Sequence, residues 1–174
     1  MVVWITGLSG VGKTTVGERL RRLWRRTDPN TVMIDGDVVR RIFGIRAEGD
    51  PYSLSGRREN AERIVEMCRW LDQQGINVVC CLLAVFDDIL DRNRDLYSRY
   101  LEARLTASLE VLTKRDTKGL YAKAAAGEMH NVIGVDLPYE LKARPDMRFD
   151  TSGTAGADQI AAEIHERVKS SGRE

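Results

Sequence analysis

Eight residues near the start of the chain have the types and the spacing of an anion cradle. Gly7-Leu8-Ser9-Gly10-Val11-Gly12-Lys13-Thr14 satisfies G-x-x-x-x-G-K-[ST] in full. The glycines let the backbone curl so that successive N–H groups converge on one anion, and a following helix adds the positive end of its dipole. Lys13 would then reach the β- and γ-phosphates of a nucleoside triphosphate, and the Thr14 hydroxyl would ligate Mg²⁺. The motif falls between a run that reads as a strand and one that reads as a helix, which favours this over a structural glycine turn. A second cluster, Asp35-Gly36-Asp37, brings two carboxylates to one turn. Such a pair can take a proton from an attacking hydroxyl or hold a water on Mg²⁺. It can equally be a turn that caps a helix starting near Val38. Arg40, one helical turn on, shares a face with Asp37 and suits a substrate phosphate.

Triphosphate binding leaves the reaction open, and absent motifs narrow it. A regulatory GTPase needs N-K-x-D, which the sequence lacks. A motor or transport ATPase needs an apolar run ending in an acid, whereas Ile76–Val85 leads into Phe86-Asp87-Asp88. A small kinase acting on a diffusible metabolite fits best.

These residues need a scaffold, and the periodicity supplies one. Residues 1–6 read as a buried strand. Val16, Leu20, Leu23 and Trp24 share one face of a helix over 13–26, with Arg21, Arg22, Arg25 and Arg26 on its solvated face. Thr31–Ile34 is a second strand, and 44–56 a Gly/Ser/Asp/Pro-rich loop. Ala61, Ile64, Val65, Cys68 and Leu71 mark a helix that Gly75 stops. Ile76–Val85 is a central strand covered on both faces, 87–98 a charged helix, and Tyr100–Leu105 a fourth strand followed by a helix to about Arg115. Residues 116–146 show no period and read as a mobile basic segment. Met147–Phe149 is a last short strand, and Ile160, Ile164 and Val168 mark a closing helix. The alternation predicts an α/β fold, a three-layer parallel sheet with flanking helices of the P-loop nucleoside/nucleotide kinase-like kind, in one domain over 1–174. In such sheets ligands sit at the carboxyl ends of the strands, where both motifs fall.

The 174 residues carry 27 Lys and Arg against 26 Asp and Glu, a balance that argues against nucleic acid as partner. The longest apolar run, Val78–Phe86, is too short to span a bilayer, so no membrane association is expected. Three cysteines, Cys80 and Cys81 adjacent, make neither a disulfide framework nor a metal pair and suit a cytoplasmic protein. They read as core, as do Trp4 and Trp24. With the phosphate motif beginning at Gly7, no targeting segment is expected. Neither His130 nor His165 has a neighbour at ligand spacing, so no protein-held metal centre is expected.

The runs VVWITGLSGVGKTT, IDGDVVR, KRDTKGLYAKAAAGE and GVDLPYE together resemble the adenylylsulfate kinase family over roughly residues 1–145. The phosphate loop alone is generic, whereas the R-D-x-K-G-L-Y-x-K-A and D-G-D-x-x-R strings are much more specific. The resemblance implies transfer of the ATP γ-phosphate to the 3′-hydroxyl of adenosine 5′-phosphosulfate. It implies Lys13, Asp35 and Asp37 as catalytic residues. Gly7, Ser9, Gly10, Gly12, Thr14, Thr15, Arg115 and Lys118 join Lys13 in holding ATP. Mg²⁺ falls to Thr14 and, through water, to Asp35. The acceptor falls to Asp37, Arg40, Tyr52, Arg57, Asn60, Ala84, Val132 and Lys123. Residues 116–146 become a basic lid that supplies cations and excludes water. A homodimer is in keeping with the family.

The departures lie on the acceptor side. Where the family has F-I-S-P-[FYH]-R, this chain has Leu82-Leu83-Ala84-Val85-Phe86-Asp87, placing a carboxylate where a cation would face an anionic acceptor. One ring of the family's aromatic clamp on the acceptor base aligns with Tyr52; the other, in N-F-T-G, is Val132 here. The family's usual extension before the first strand is not expected here. Asp88, Asp91, Arg92, Arg94 and Asp95 read as a charged helix surface, from which Arg92 and Arg94 could reach the acceptor pocket. Two readings follow. One is an adenylylsulfate kinase with tolerated changes, and the other a paralogue whose acceptor is a pyrimidine nucleotide such as a cytidine diphosphate compound, or another small hydroxyl. A non-catalytic nucleotide-binding module is the rival from another class.

Overall fold

In the computed structural model, residues 1–44, 52–116, 118–153 and 155–170 are described. Five strands, β1 (Val2–Thr6), β2 (Thr31–Asp35), β3 (Asn77–Leu82), β4 (Tyr100–Thr106) and β5 (Met147–Asp150), form one parallel sheet in the order β2-β3-β1-β4-β5. Every ladder is parallel, with Val2 opposite Val78 on one side and Tyr100 on the other. Each crossover carries helix, which parallel pairing requires. The helices are α1 (Lys13–Trp24), α2 (Gly36–Phe43), α3 (Leu54–Gln73), α4 (Asp87–Leu96), α5 (Leu109–Arg115), α6 (Leu120–Ala125) and α7 (Ala157–Ser170).

Because side chains alternate across a strand, β1 feeds two cores. Val3 and Ile5 pack with Val16, Leu20 and Trp24 of α1 and with Ile160, Ile164 and Val168 of α7. Val2 and Trp4 pack with Ile64, Val65 and Cys68 of α3 and with Ile89 and Leu90 of α4. Leu20, Ile64 and Ile164 are fully buried, each contributing about 1.5–3 kcal/mol. Cys68, Cys80 and Cys81 are free and buried, and Trp4 and Trp24 lie in the core as expected. Gly17 lets α1 lie directly on β3, because a Cβ there would collide with the Cys81 sulfur.

Several elements differ from the expectation. The third strand ends at Leu82 rather than Val85, leaving residues 83–86 as a loop at the sheet's ligand edge. Of the loop expected over 44–56, residues 45–51 lie outside the described residues. Its end is already helix, since the Ser53 hydroxyl accepts the Gly56 N–H and opens α3 at Leu54. The segment over 116–146 is not a featureless strap in its described part. The Asp116 carboxylate accepts the N–H groups of Leu120, Tyr121 and Ala122 and so starts α6. Tyr121, Val132 and Ile133 are buried. Its order comes from tertiary contacts, which leave no periodicity. No described helix is long and apolar enough to cross a membrane.

Candidate active site

A cleft of about 810 Å³ opens over the carboxyl ends of the strands. Its size is that of a small-molecule site. One end is the phosphate loop between β1 and α1. At Gly7, φ is +143° and a Cβ would strike the Leu105 carbonyl. Only glycine lets the loop leave β1 at this angle beside β4. Lys13 Nζ donates to the Leu8 carbonyl at 2.7 Å. Burial lowers its pKa from 10.5 to about 8; Cys81, Asp37 and Asp35 oppose that shift, while Lys118 reinforces it.

Asp35 has two tasks. Its Oδ1 accepts the Asp37 N–H at 2.9 Å and the Val38 N–H at 3.4 Å, capping α2, while its Oδ2 accepts the Thr14 hydroxyl at 2.7 Å. The helix cap set out above is present, and the same carboxylate is also tied to the phosphate loop. Asp37 lies beside it, paired with the Lys118 ammonium and, at 3.4 Å, with Arg40. Burial alone would raise the Asp37 pKa, but the Lys118 hydrogen bond and charge, with Arg40 and Lys13, hold it below the usual carboxylate range.

The far end is built from α2 and α3. The Arg40 and Arg57 guanidinium groups lie 5.2 and 5.6 Å from the Tyr52 ring centroid, within cation–π range. Arg57 donates to the carbonyls of Tyr52 and Asn131 at 2.8 and 2.9 Å. Asn60 donates to the Gly36 carbonyl at 3.2 Å. Arg40 Nε and Asn60 Oδ1 are buried with no hydrogen-bond partner among the described residues, and both residues line the cleft. Buried polar atoms carry a free-energy cost unless something pairs with them. This end therefore offers one donor and one acceptor to a bound molecule.

Of the residues singled out in the sequence, Ser9, Gly10, Gly12, Lys13, Thr14, Thr15, Asp35, Asp37, Arg40, Tyr52, Arg57, Asn60, Arg115, Lys118 and Val132 line the cleft. Gly7 lies beneath it. Ala84 is buried and Lys123 exposed on α6, and neither lines the cleft. Asp87 is also elsewhere, its carboxylate accepting the N–H groups of Lys142 and Ala143 at 3.2 and 2.8 Å. The carboxylate expected to face an anionic acceptor thus meets backbone N–H groups and does not line the cleft. Arg92 pairs with Glu62, and Arg94 with Asp146; neither lines the cleft. His130 is exposed.

The sequence reading missed one wall. Thr151 Oγ1 donates to the Val11 carbonyl at 3.1 Å, Arg115 donates to the Thr151 carbonyl at 2.7 Å, and Gly153 and Ala155–Ala157 complete the lining. A Ser/Gly/Thr/Ala stretch between a strand and a helix was its available signal. Tyr121 was missed too; its hydroxyl donates to the Ser9 carbonyl at 2.9 Å, tying α6 to the phosphate loop.

With this geometry in view, the comparison with known families is decisive: the family described as adenylylsulphate kinase matches residues 1–150. The chain belongs to the adenylylsulfate kinase family. It is thus an ATP-dependent phosphotransferase with a hydroxyl acceptor. It is 36% identical over 173 residues to the bifunctional enzyme NodQ of Azospirillum brasilense, covering 98% of this chain but spanning only 27% of that protein. It is 34% identical over 151 residues to the cytidine diphosphoramidate kinase of Campylobacter jejuni, covering 87% of this chain and 86% of the relative. Its fold superposes on the Mycobacterium tuberculosis APS kinase CysC, solved in complex with AMPPNP and APS, with a TM-score of 0.84 at 29% identity over 97% and 96% of the two chains.

Proposed function

We propose that this enzyme transfers the γ-phosphate of ATP to the 3′-hydroxyl of adenosine 5′-phosphosulfate. The observation that carries the reading is the polarity of the cleft. A phosphate loop stands at one end, a ring with two guanidinium groups at the other, and Asp37 lies between them beside Lys118 and Arg40. The loop N–H groups and Lys13 hold the β- and γ-phosphates. Arg40 and Arg57 meet the anionic 5′-end of the acceptor, and Tyr52 offers a face to its base.

The donor set around Thr14 and Asp35 is of hard oxygens, which fits Mg²⁺. When bound there, that ion would neutralise charge on the β- and γ-phosphates. Asp35 has both oxygens committed to Thr14 and to the α2 N–H groups. The carboxylate left to orient the attacking hydroxyl is Asp37. The acceptor oxygen bonds to the γ-phosphorus as the bond from that phosphorus to the β-phosphate bridging oxygen breaks. The hydroxyl proton passes to Asp37, and ADP leaves. Lys118, exchanging Asp37 for the γ-phosphoryl oxygens, balances the charge of the transition state. Residues 116–146 act as the lid that excludes water.

A second acceptor, a cytidine diphosphate derivative, is favoured by one observation: the aliphatic Val132 on the cleft wall, where a purine clamp calls for a ring. ADP release with Mg²⁺ and ATP, measured across adenosine 5′-phosphosulfate, cytidine and uridine diphosphate derivatives and simple nucleosides, tests both. Fastest turnover on the phosphosulfate is expected. Turnover confined to a pyrimidine derivative selects the second reading, and silence on every nucleotide refutes both.

A further inference from the structure

The segment that returns from the cleft to β5 is held at consecutive points. The Asp87 carboxylate takes the N–H groups of Lys142 and Ala143. The Ala143 carbonyl accepts from Arg104 Nη2 at 2.9 Å, so this residue is held through both its N–H and its C=O. Arg94 donates to the Arg144 carbonyl at 2.9 Å and to the Asp146 carboxylate at 3.0 Å, and Asp146 accepts the Glu102 N–H at 2.7 Å.

The inner end of this chain of contacts reaches the phosphate loop. Arg104 is buried, and its Nη2 donates to Glu102 Oε1 at 2.8 Å. The same oxygen accepts the Thr6 hydroxyl at 3.0 Å, and Thr6 is the last residue of β1 before Gly7. The outer end reaches the acceptor side. Asp87 follows the loop 83–86, whose first residue, Leu83, lines the cleft. Phe86 in that loop lies 4.1 Å beneath the Arg58 guanidinium of α3.

We infer that Asp87 is a positioning residue, locking the segment that returns from the cleft to β5 against the acceptor-side loop and thereby fixing the acceptor relative to the phosphate loop. A continuous polar strut, Thr6–Glu102–Arg104–Ala143–Asp87, spans the two halves of the site. It gives a carboxylate there a role: its two oxygens accept two backbone N–H groups, and a charged acceptor makes the stronger hydrogen bonds. The inference rests on the reading of the α2–α3 end as the acceptor site.

The test compares wild type with Asp87→Asn, Asp87→Ala and Asp87→Arg, using whichever nucleotide acceptor the wild type turns over. The acceptor KM should rise about twofold to threefold in Asp87→Asn, which keeps one carbonyl oxygen. It should rise about tenfold in Asp87→Ala and at least as much in Asp87→Arg, with the KM for ATP moving less than twofold. Amide exchange at 137–146 should quicken in the same order, a readout that needs no acceptor. An unchanged acceptor KM in Asp87→Ala overturns the inference, as does a lower one in Asp87→Arg. Equal rises in both KM values overturn it too. Absence of wild-type turnover on every nucleotide acceptor would instead defeat the acceptor-site reading, while the exchange rates would still report on the lock. Unchanged exchange would overturn the lock itself.

Discussion

Replacing Lys13 with Met should stabilise the protein while abolishing turnover. The ammonium is drawn out of water beneath the phosphate loop, and its pKa falls from 10.5 to about 8. At roughly 1.4 kcal/mol per pK unit, keeping it protonated at pH 7 costs about 3 kcal/mol. Met forfeits the hydrogen bond to the Leu8 carbonyl, about 1 kcal/mol, and cleft water screens part of the charge. A net gain of ~1–2 kcal/mol remains, a rise in Tm of about 3–6 °C for a chain of this size.

The pH dependence is specific. Below pH 8 Lys13 is protonated in both states and the full cost is present. Between about pH 8 and 10.5 the unfolded chain binds a proton that the folded one has released, so wild-type stability gains on the variant as pH rises. The assay is thermal unfolding of both proteins without nucleotide, which would stabilise the native state by mass action, at pH 7 and in steps to pH 10.5. ADP release is measured alongside. A variant that melts below wild type at pH 7, or a Tm gap that does not shrink towards pH 10.5, would refute the reasoning.

Lys118→Met removes the main cation facing Asp37. The Asp37 pKa should rise towards its ordinary range, carrying the acid limb of the kcat/KM profile to higher pH, with kcat down about 10²-fold. Both side chains of that pair are more than half exposed, so Tm should hardly move; an unmoved acid limb would show that Asp37 does not set it. At the contact of α1 with β3, Gly17→Ala should cost ~1–3 kcal/mol in urea denaturation because its Cβ meets the Cys81 sulfur. In Gly17→Ala/Cys81→Ala much of that loss should return, so additive effects would mean that the sulfur is not the obstacle.

What the sequence made legible was what local chemistry encodes. The phosphate loop is contiguous, and its glycines and Lys-Thr pair need no distant partner to be recognised. The apolar faces of α1, α3 and α7 repeat at helical spacing, and β1 and β3 are near-continuous apolar runs. Contacts that form only on folding were not legible. Asp116 starts α6 through N–H groups four to six residues on. Tyr121 finds Ser9 more than a hundred residues away. Asp87 shows the limit of reading a position by its counterpart in a family. Charge at that position suggested conflict with an acceptor, while the fold turns the carboxylate towards two backbone N–H groups.

The sheet divides labour between its centre and its margin. The phosphate loop springs from β1, the middle strand, and is pinned by Leu105, Thr151 and the α1 packing. The opposite end of the cleft hangs from the edge strand β2 through α2, a two-turn helix that leaves Val38, Ile42 and Phe43 exposed. Substitution at the centre disturbs both cores at once, whereas the half-buried Arg40 and Tyr52 can change with less loss of fold stability. Such an architecture is conservative about its phosphoryl donor and permissive about the recipient. One scaffold can therefore be inherited by enzymes that share ATP and differ in the molecule they phosphorylate.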